Sequence, residues 1–294
     1  MCDELTQGHE NEQRAPGVVS RREFTALGAG AATVALSGCS GMTRVRQNAR
    51  ELAERTVQVT TADGIADGFF VHPAKGSFPG VLMWPDVGGL RESFRIMARQ
   101  LADSGFAVLA VNQYYRAARA PVLTSFAEWR TPSGQERLRP MIAAVTSAAT
   151  IRDALAFTAF LDGQPAVDTS RRIGTCGYCM GGPAAVRTAA AGPTRVGAAA
   201  SFHGANLVSD DPDSPVNLIA RTQAAFLFAI ARNDDARQPE AKSELKAACD
   251  AARLPAEVEV YPADHGWCVP DNPSYDPNAA DKAWQRMEAL LARL

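Results

Sequence analysis

Polar and apolar residues alternate over 56–61 and again over 65–72, which predicts two half-buried strands joined by a hairpin turn at Asp63-Gly64. Pro79-Gly80 then introduces 81–84, a continuous apolar run that fits a strand buried on both faces. Over 93–104 the apolar positions Phe94, Met97, Ala98 and Leu101 recur on one helical face. The next buried strand is 106–111. A single long helix is expected from about 139 to 161, with Ile142, Val145, Ala148, Ile151, Leu155 and Ala159 mainly inward. Further strands are expected at 173–176, 196–202, 225–230 and 258–261, with helices between them and a last helix over 279–294. Strand–helix alternation of this kind defines an α/β fold: a mostly parallel central sheet covered by helices on both faces, with the opening hairpin adding antiparallel edge strands. No internal repeat, long linker or second domain interrupts it.

Ahead of this domain the pattern changes. Residues 1–19 are polar and aperiodic, and Ser20-Arg21-Arg22-Glu23-Phe24-Thr25 precedes a short Gly/Ala-rich apolar run over 26–36. Paired arginines before such a run have the form of a twin-arginine export signal. The run is too short to span a bilayer as a helix. It ends in Leu36-Ser37-Gly38-Cys39, which resembles the lipobox of bacterial lipoproteins. Cys39 would then be the lipidated first residue of the mature chain and a membrane anchor. The expected organisation is an export signal over 1–39, a polar spacer over 40–54 and the α/β domain over 55–294, with an exported, periplasmic or extracytoplasmic location.

The chain has 294 residues and a net charge of -2, which gives no reason to expect nucleic acid as a partner. Its six cysteines are scattered irregularly and do not read as a disulfide framework. No feature of the sequence sets an oligomeric state.

The candidate chemistry gathers at 174–182, where Gly177-x-Cys179-x-Gly181 lies between a predicted strand and a predicted helix. This is a thiol version of the G-x-S-x-G nucleophile elbow. The turn is tight, so a Cβ two residues either side of the nucleophile would crowd it. The helix start beside it favours a thiolate or an oxyanion. Downstream come an acid and then a histidine, each just after a predicted strand. His265 can take the thiol proton, and a carboxylate can orient its ring. Asp234 and Asp235 compete for that role, with Asp234 favoured because it falls sooner after the strand.

Other readings compete for the same residues. Cys176-x-x-Cys179 also suits a redox dithiol, and with His265 and Cys268 it makes a chemically adequate zinc set. A Cys176–Cys268 disulfide and a non-catalytic binding module are conceivable too. His203, after the 196–202 strand, is either a pocket-lining residue or a loop histidine. The segment 113–138 breaks the alternation at the carboxyl end of a strand, where substrate pockets are built.

Gly177-Tyr178-Cys179-Met180-Gly181-Gly182 closely resembles the elbow of the dienelactone hydrolase family. The resemblance extends from about Thr56 to the C-terminus and includes 84–89, 112–116, Asp234 and 265–267. It implies an α/β-hydrolase fold with no cofactor or metal, acting on a small ester or lactone through Cys179, Asp234 and His265. The backbone N–H groups of Met180 and Val87 would form the oxyanion hole. Asp86 stands where the family carries a glutamate that contacts the resting thiol, one methylene shorter. The family also holds a substrate carboxylate with arginine, for which Arg116, Arg130 and Arg137 are candidates. Tyr114 and Trp267 complete the expected substrate contacts.

Overall fold

The computed structural model describes residues 50–294. The Arg21-Arg22 pair, the apolar run behind it and Cys39 lie outside the described residues. In chain order the elements are β1 (Leu52–Thr61), β2 (Gly64–Pro73), β3 (Gly80–Trp84), α1 (Glu92–Asp103), β4 (Ala107–Val111), α2 (Phe126–Trp129), α3 (Pro132–Ala144) and α4 (Ser147–Asp162). They continue with β5 (Ile173–Tyr178), α5 (Gly181–Ala191), β6 (Val196–Phe202), α6 (Pro215–Leu218), β7 (Ala225–Ala231), α7 (Arg232–Arg237), α8 (Ala241–Ala251), β8 (Ala256–Tyr261) and α9 (Pro277–Leu291).

One eight-stranded sheet carries them in the order β1-β2-β4-β3-β5-β6-β7-β8. Strands β3 to β8 run parallel, and β2 joins β4 antiparallel. β1 and β2 pair from Leu52↔Pro73 to Thr61↔Gly64. The turn is therefore Ala62-Asp63, one position earlier than expected, because Gly64 is already paired in β2. β1 also starts inside the expected spacer, so residues 52–54 belong to the sheet.

The two sheet faces carry two cores. On one, Phe94, Met97 and Leu101 of α1 and Ala283, Met287 and Leu291 of α9 cover Val81, Met83 and Leu227. On the other, Phe157 and Leu161 of α4, Ala184 and Val186 of α5 and Leu245 and Cys249 of α8 cover Leu82, Phe226 and Phe228. Burial on both faces is why the central strands are continuously apolar rather than alternating.

The expected single helix over 139–161 is two helices whose axes differ by 77°. Thr146 causes the break: it is extended, and its side chain accepts the Ala149 N–H to cap α4. The inward stripe shifts as a result. Ala149, Thr150, Asp153, Ala154, Phe157 and Leu161 are buried, whereas Leu155 is 51% exposed. Asp153 sits in that stripe because it is paired. Arg116 donates to both of its oxygens at 2.8 Å, and Tyr115 Oη donates to it at 2.7 Å.

Candidate active site

Cys179 follows β5, and His203 after β6 and His265 after β8 lie beside it. Tyr178 ends β5 and α5 starts at Gly181, so Cys179 occupies the bend between them with φ +54. That left-handed conformation costs a non-glycine residue roughly 1–2 kcal/mol. Four hydrogen bonds hold it. The Cys179 N–H donates to Phe202 O at 3.0 Å and to His203 Nδ1 at 3.1 Å. Its carbonyl accepts from the Gly182 N–H at 3.0 Å and the Ala205 N–H at 3.2 Å. The flanking glycines are steric requirements. A Cβ on Gly177 would lie 1.8 Å from Gly181 O, and one on Gly181 would lie 2.3 Å from Trp84 O.

His265 faces the sulfur and hydrogen-bonds to it, while its Nδ1 lies 2.7 Å from Asp234 Oδ2. Burial pulls the imidazole down, but the negative charge of Cys179 and the hydrogen bonds from Asp234 and Cys179 outweigh it and raise the ring to about 10. Asp234 lies in the first turn of α7 and also accepts from Arg237. Asp235 turns instead to Lys242 at 2.6 Å. Asn233, which the sequence reading passed over, fixes the histidine's backbone by accepting the His265 N–H at 2.9 Å.

The thiols differ sharply. Cys179 is partly exposed, whereas Cys176, Cys249 and Cys268 are buried. Burial pushes Cys176 up to about 12 and Cys249 up to about 11, and it raises Cys268 well above the usual thiol range. Cys176 lies inside β5 and is no thiolate nucleophile. Among the described residues no cluster of three or more His, Cys, Asp and Glu side chains is arranged to hold a metal, so the proposed four-ligand zinc set is not assembled.

The N–H groups of Met180 and Val87 donate to no acceptor among the described residues. Tyr114 lies behind both: its hydroxyl is 2.8 Å from Val87 O and 3.1 Å from Met180 Sδ. Tyr114 is only 1% exposed and Trp267 is 0% exposed, so neither presents the substrate surface expected of it. Trp267 is a packing residue, stacked on Tyr261 with ring centroids 5.1 Å apart.

Two further expectations are corrected. The Asp86 carboxylate does not contact the thiol. It accepts from Arg91 at 2.6 and 3.0 Å and from the Gly88 N–H at 2.8 Å. Arg91 is itself buried, and it donates to Asp271 at 2.7 Å through two nitrogens. Phe94 and Phe126 lie 5.1 and 5.4 Å from its guanidinium carbon. Nor is Arg116 free for a substrate carboxylate. Asp153 and Asp63 engage its fork, and it lies 4.5 Å from the Tyr115 ring centroid. Arg137 sits at the surface 3.7 Å from Glu128, and Arg130 is exposed.

A mostly parallel sheet carrying a strained strand-to-helix elbow at Cys179, with an acid after β7 and a histidine after β8, defines an α/β hydrolase. Comparison with known proteins narrows the class. The model of the dienelactone hydrolase family matches residues 66–294, and the chain belongs to that family. It is 29% identical over 278 residues to a protein of Methylorubrum extorquens provisionally named carboxymethylenebutenolidase, covering 92% of this chain and 91% of the relative. A Synechocystis protein of the same provisional name is 30% identical over 230 residues, covering 76% of this chain and 90% of the relative. Among solved structures, a provisionally named dienelactone hydrolase of Klebsiella pneumoniae shares the fold at TM-score 0.72 and 23% identity, over 83% of this chain and 100% of that one. The chain is thus a dienelactone hydrolase-like enzyme, a hydrolase of esters or lactones.

Proposed function

We propose that this hydrolase works through Cys179, His265 and Asp234 by way of an acyl-thioenzyme. The single observation that carries the reading is His265, which bonds to Asp234 on one side and to Cys179 on the other. The Cys179 thiolate attacks the acyl carbon, and the carbonyl oxygen becomes an oxyanion facing the Met180 and Val87 N–H groups. Collapse breaks the acyl C–O bond, and the His265 imidazolium gives its proton to the departing alkoxide. Neutral His265 then takes a proton from water as that water attacks the thioester. The acid product leaves, and sulfur returns as the thiolate beside the imidazolium. Asp234 stays ionised throughout and holds the ring in register.

Because Asp86 is tied to Arg91, His265 is the side chain assigned to take the thiol proton. The relatives bear the name of a lactone-opening enzyme, so lactones head the substrate panel. The test runs a panel of small esters and lactones against wild type and Cys179→Ala. The variant should lose at least about 10⁴-fold in kcat while remaining folded; full turnover by Cys179→Ala would refute the nucleophile.

We also propose that the chain is exported through Arg21-Arg22 and lipid-anchored at Cys39, as its N-terminal sequence pattern supports. Cell fractionation of wild type, Arg21→Lys/Arg22→Lys and Cys39→Ala tests this. Unaltered distribution of both variants would overturn it.

A further inference from the structure

His203 follows β6 and stands in the left-handed region at φ +38, 1% exposed. Its own N–H donates to Ala229 O at 2.8 Å, which anchors it to β7. Nδ1 accepts the Cys179 N–H at 3.1 Å, so the ring's proton resides on Nε2. Nε2 is buried and has no partner among the described residues. The ring centroid lies 4.7 Å from that of His265 at an interplanar angle of 59°, and 5.1 Å from that of Trp267. One imidazole therefore meets the Cys179 backbone through an acceptor and the His265 ring through a tilted ring contact.

This arrangement is costly for stability. Left-handed backbone at a non-glycine residue is strained, and a buried donor without a partner adds an uncompensated desolvation cost. Strain of this kind at the centre of a site points to a functional demand rather than to packing. Burial and the charge of His265 hold His203 well below the ordinary histidine range, so it stays neutral beside the imidazolium.

We propose that His203 is a positioning residue that sets the Cys179 sulfur and the His265 ring in register, by accepting the Cys179 N–H through Nδ1 alongside Phe202 O and by packing its ring against His265. This rests on Cys179 and His265 acting as nucleophile and base. The neutral ring supplies an acceptor without bringing a second positive charge to the thiolate. An error of about 1 Å in that register is enough to cost about 10²-fold in rate.

The test compares His203→Asn, His203→Gln and His203→Phe with wild type and Cys179→Ala. Asn places an oxygen where Nδ1 was; Gln places its amide near Nε2 and leaves Phe202 O as the single acceptor of the Cys179 N–H; Phe keeps the ring and has no acceptor. Measured are kcat and KM on the best ester, the pH profile of iodoacetamide alkylation of Cys179, and the melting temperature. Gln and Phe should lower kcat and slow alkylation by about 10–100-fold with KM within about threefold, and Asn should recover most of the alkylation rate. The Asn–Gln comparison stands if the Phe variant does not fold. All variants within twofold of wild type in both rates, or losses that follow melting temperature alone with no rescue by Asn, would overturn the proposal. Turnover that survives in Cys179→Ala sinks the nucleophile instead, and is read separately.

Discussion

Arg91 Nη1 lies 2.6 Å from Asp86 Oδ1, and neither side chain is more than 2% exposed. Through Asp271, which also accepts the Phe126 N–H at 3.0 Å, the same guanidinium binds the loop beyond His265 and the start of α2. Three loops around the thiol thus meet on one cation. Breaking a buried pair by removing one partner strands the other charge, at about 3–5 kcal/mol. Arg91→Met should lose that much in urea unfolding, and Asp86→Asn should lose less because Asp271 still pairs with Arg91. Asp86→Asn should also leave the pH profile of Cys179 alkylation unmoved, as a pure structural acid would.

The imidazolium of His265 makes stability depend on pH. Its value rises from 6.5 to about 10 in the folded protein. A raised value contributes stability in full below 6.5, and the contribution is lost as pH climbs toward 10. The stability difference between wild type and His265→Gln, followed by urea unfolding, should accordingly shrink over that alkaline range. A difference that stays flat over that range would mean that the ring is neutral in the fold.

Glycine substitutions should divide by what the new Cβ meets. Gly181→Ala would bring it 2.3 Å from Trp84 O and 2.6 Å from Pro85 O, both backbone atoms that cannot move aside. A loss of about 3 kcal/mol or more is expected. At Gly192 the nearest atom would be 3.7 Å away, an ordinary contact. Gly192→Ala should stay within about 0.5 kcal/mol of wild type. Thermal melts of the two variants make the comparison.

Limiting iodoacetamide should select one thiol among residues 50–294. Cys179 is partly exposed beside His265, while Cys176, Cys249 and Cys268 are buried with their thiols held protonated. Peptide mass spectrometry at neutral pH should find the label on Cys179 at least about tenfold ahead of the other three. Equal labelling of Cys176 would remove the distinction between them.

How much of this was legible in the sequence depended on the range of the physics involved. The strands showed plainly because burial on both faces leaves unbroken apolar runs such as 225–230. The elbow showed because its backbone crowding is local, written into Gly177 and Gly181. The helix break at Thr146 was signalled by a capping residue, but a continuing apolar pattern concealed it. Asp153 misled the helix phase because its partner, Arg116, comes from a different loop. Arg91 and Asp271 lie 180 positions apart, so no spacing announced them. Asp86 is expected at the sulfur only because it stands where the family carries a glutamate, and no sequence spacing announces its engagement with Arg91.

The site is drawn from Val87, Cys179, Asp234 and His265, and the last two follow β7 and β8, which are laid onto one side of β5 after it is made. A growing polypeptide stopped between Cys179 and His265 therefore carries the sulfur with no imidazole of His265 opposite it. Reactivity arrives late, with His265 after β8, and a product terminated before it would be chemically quiet.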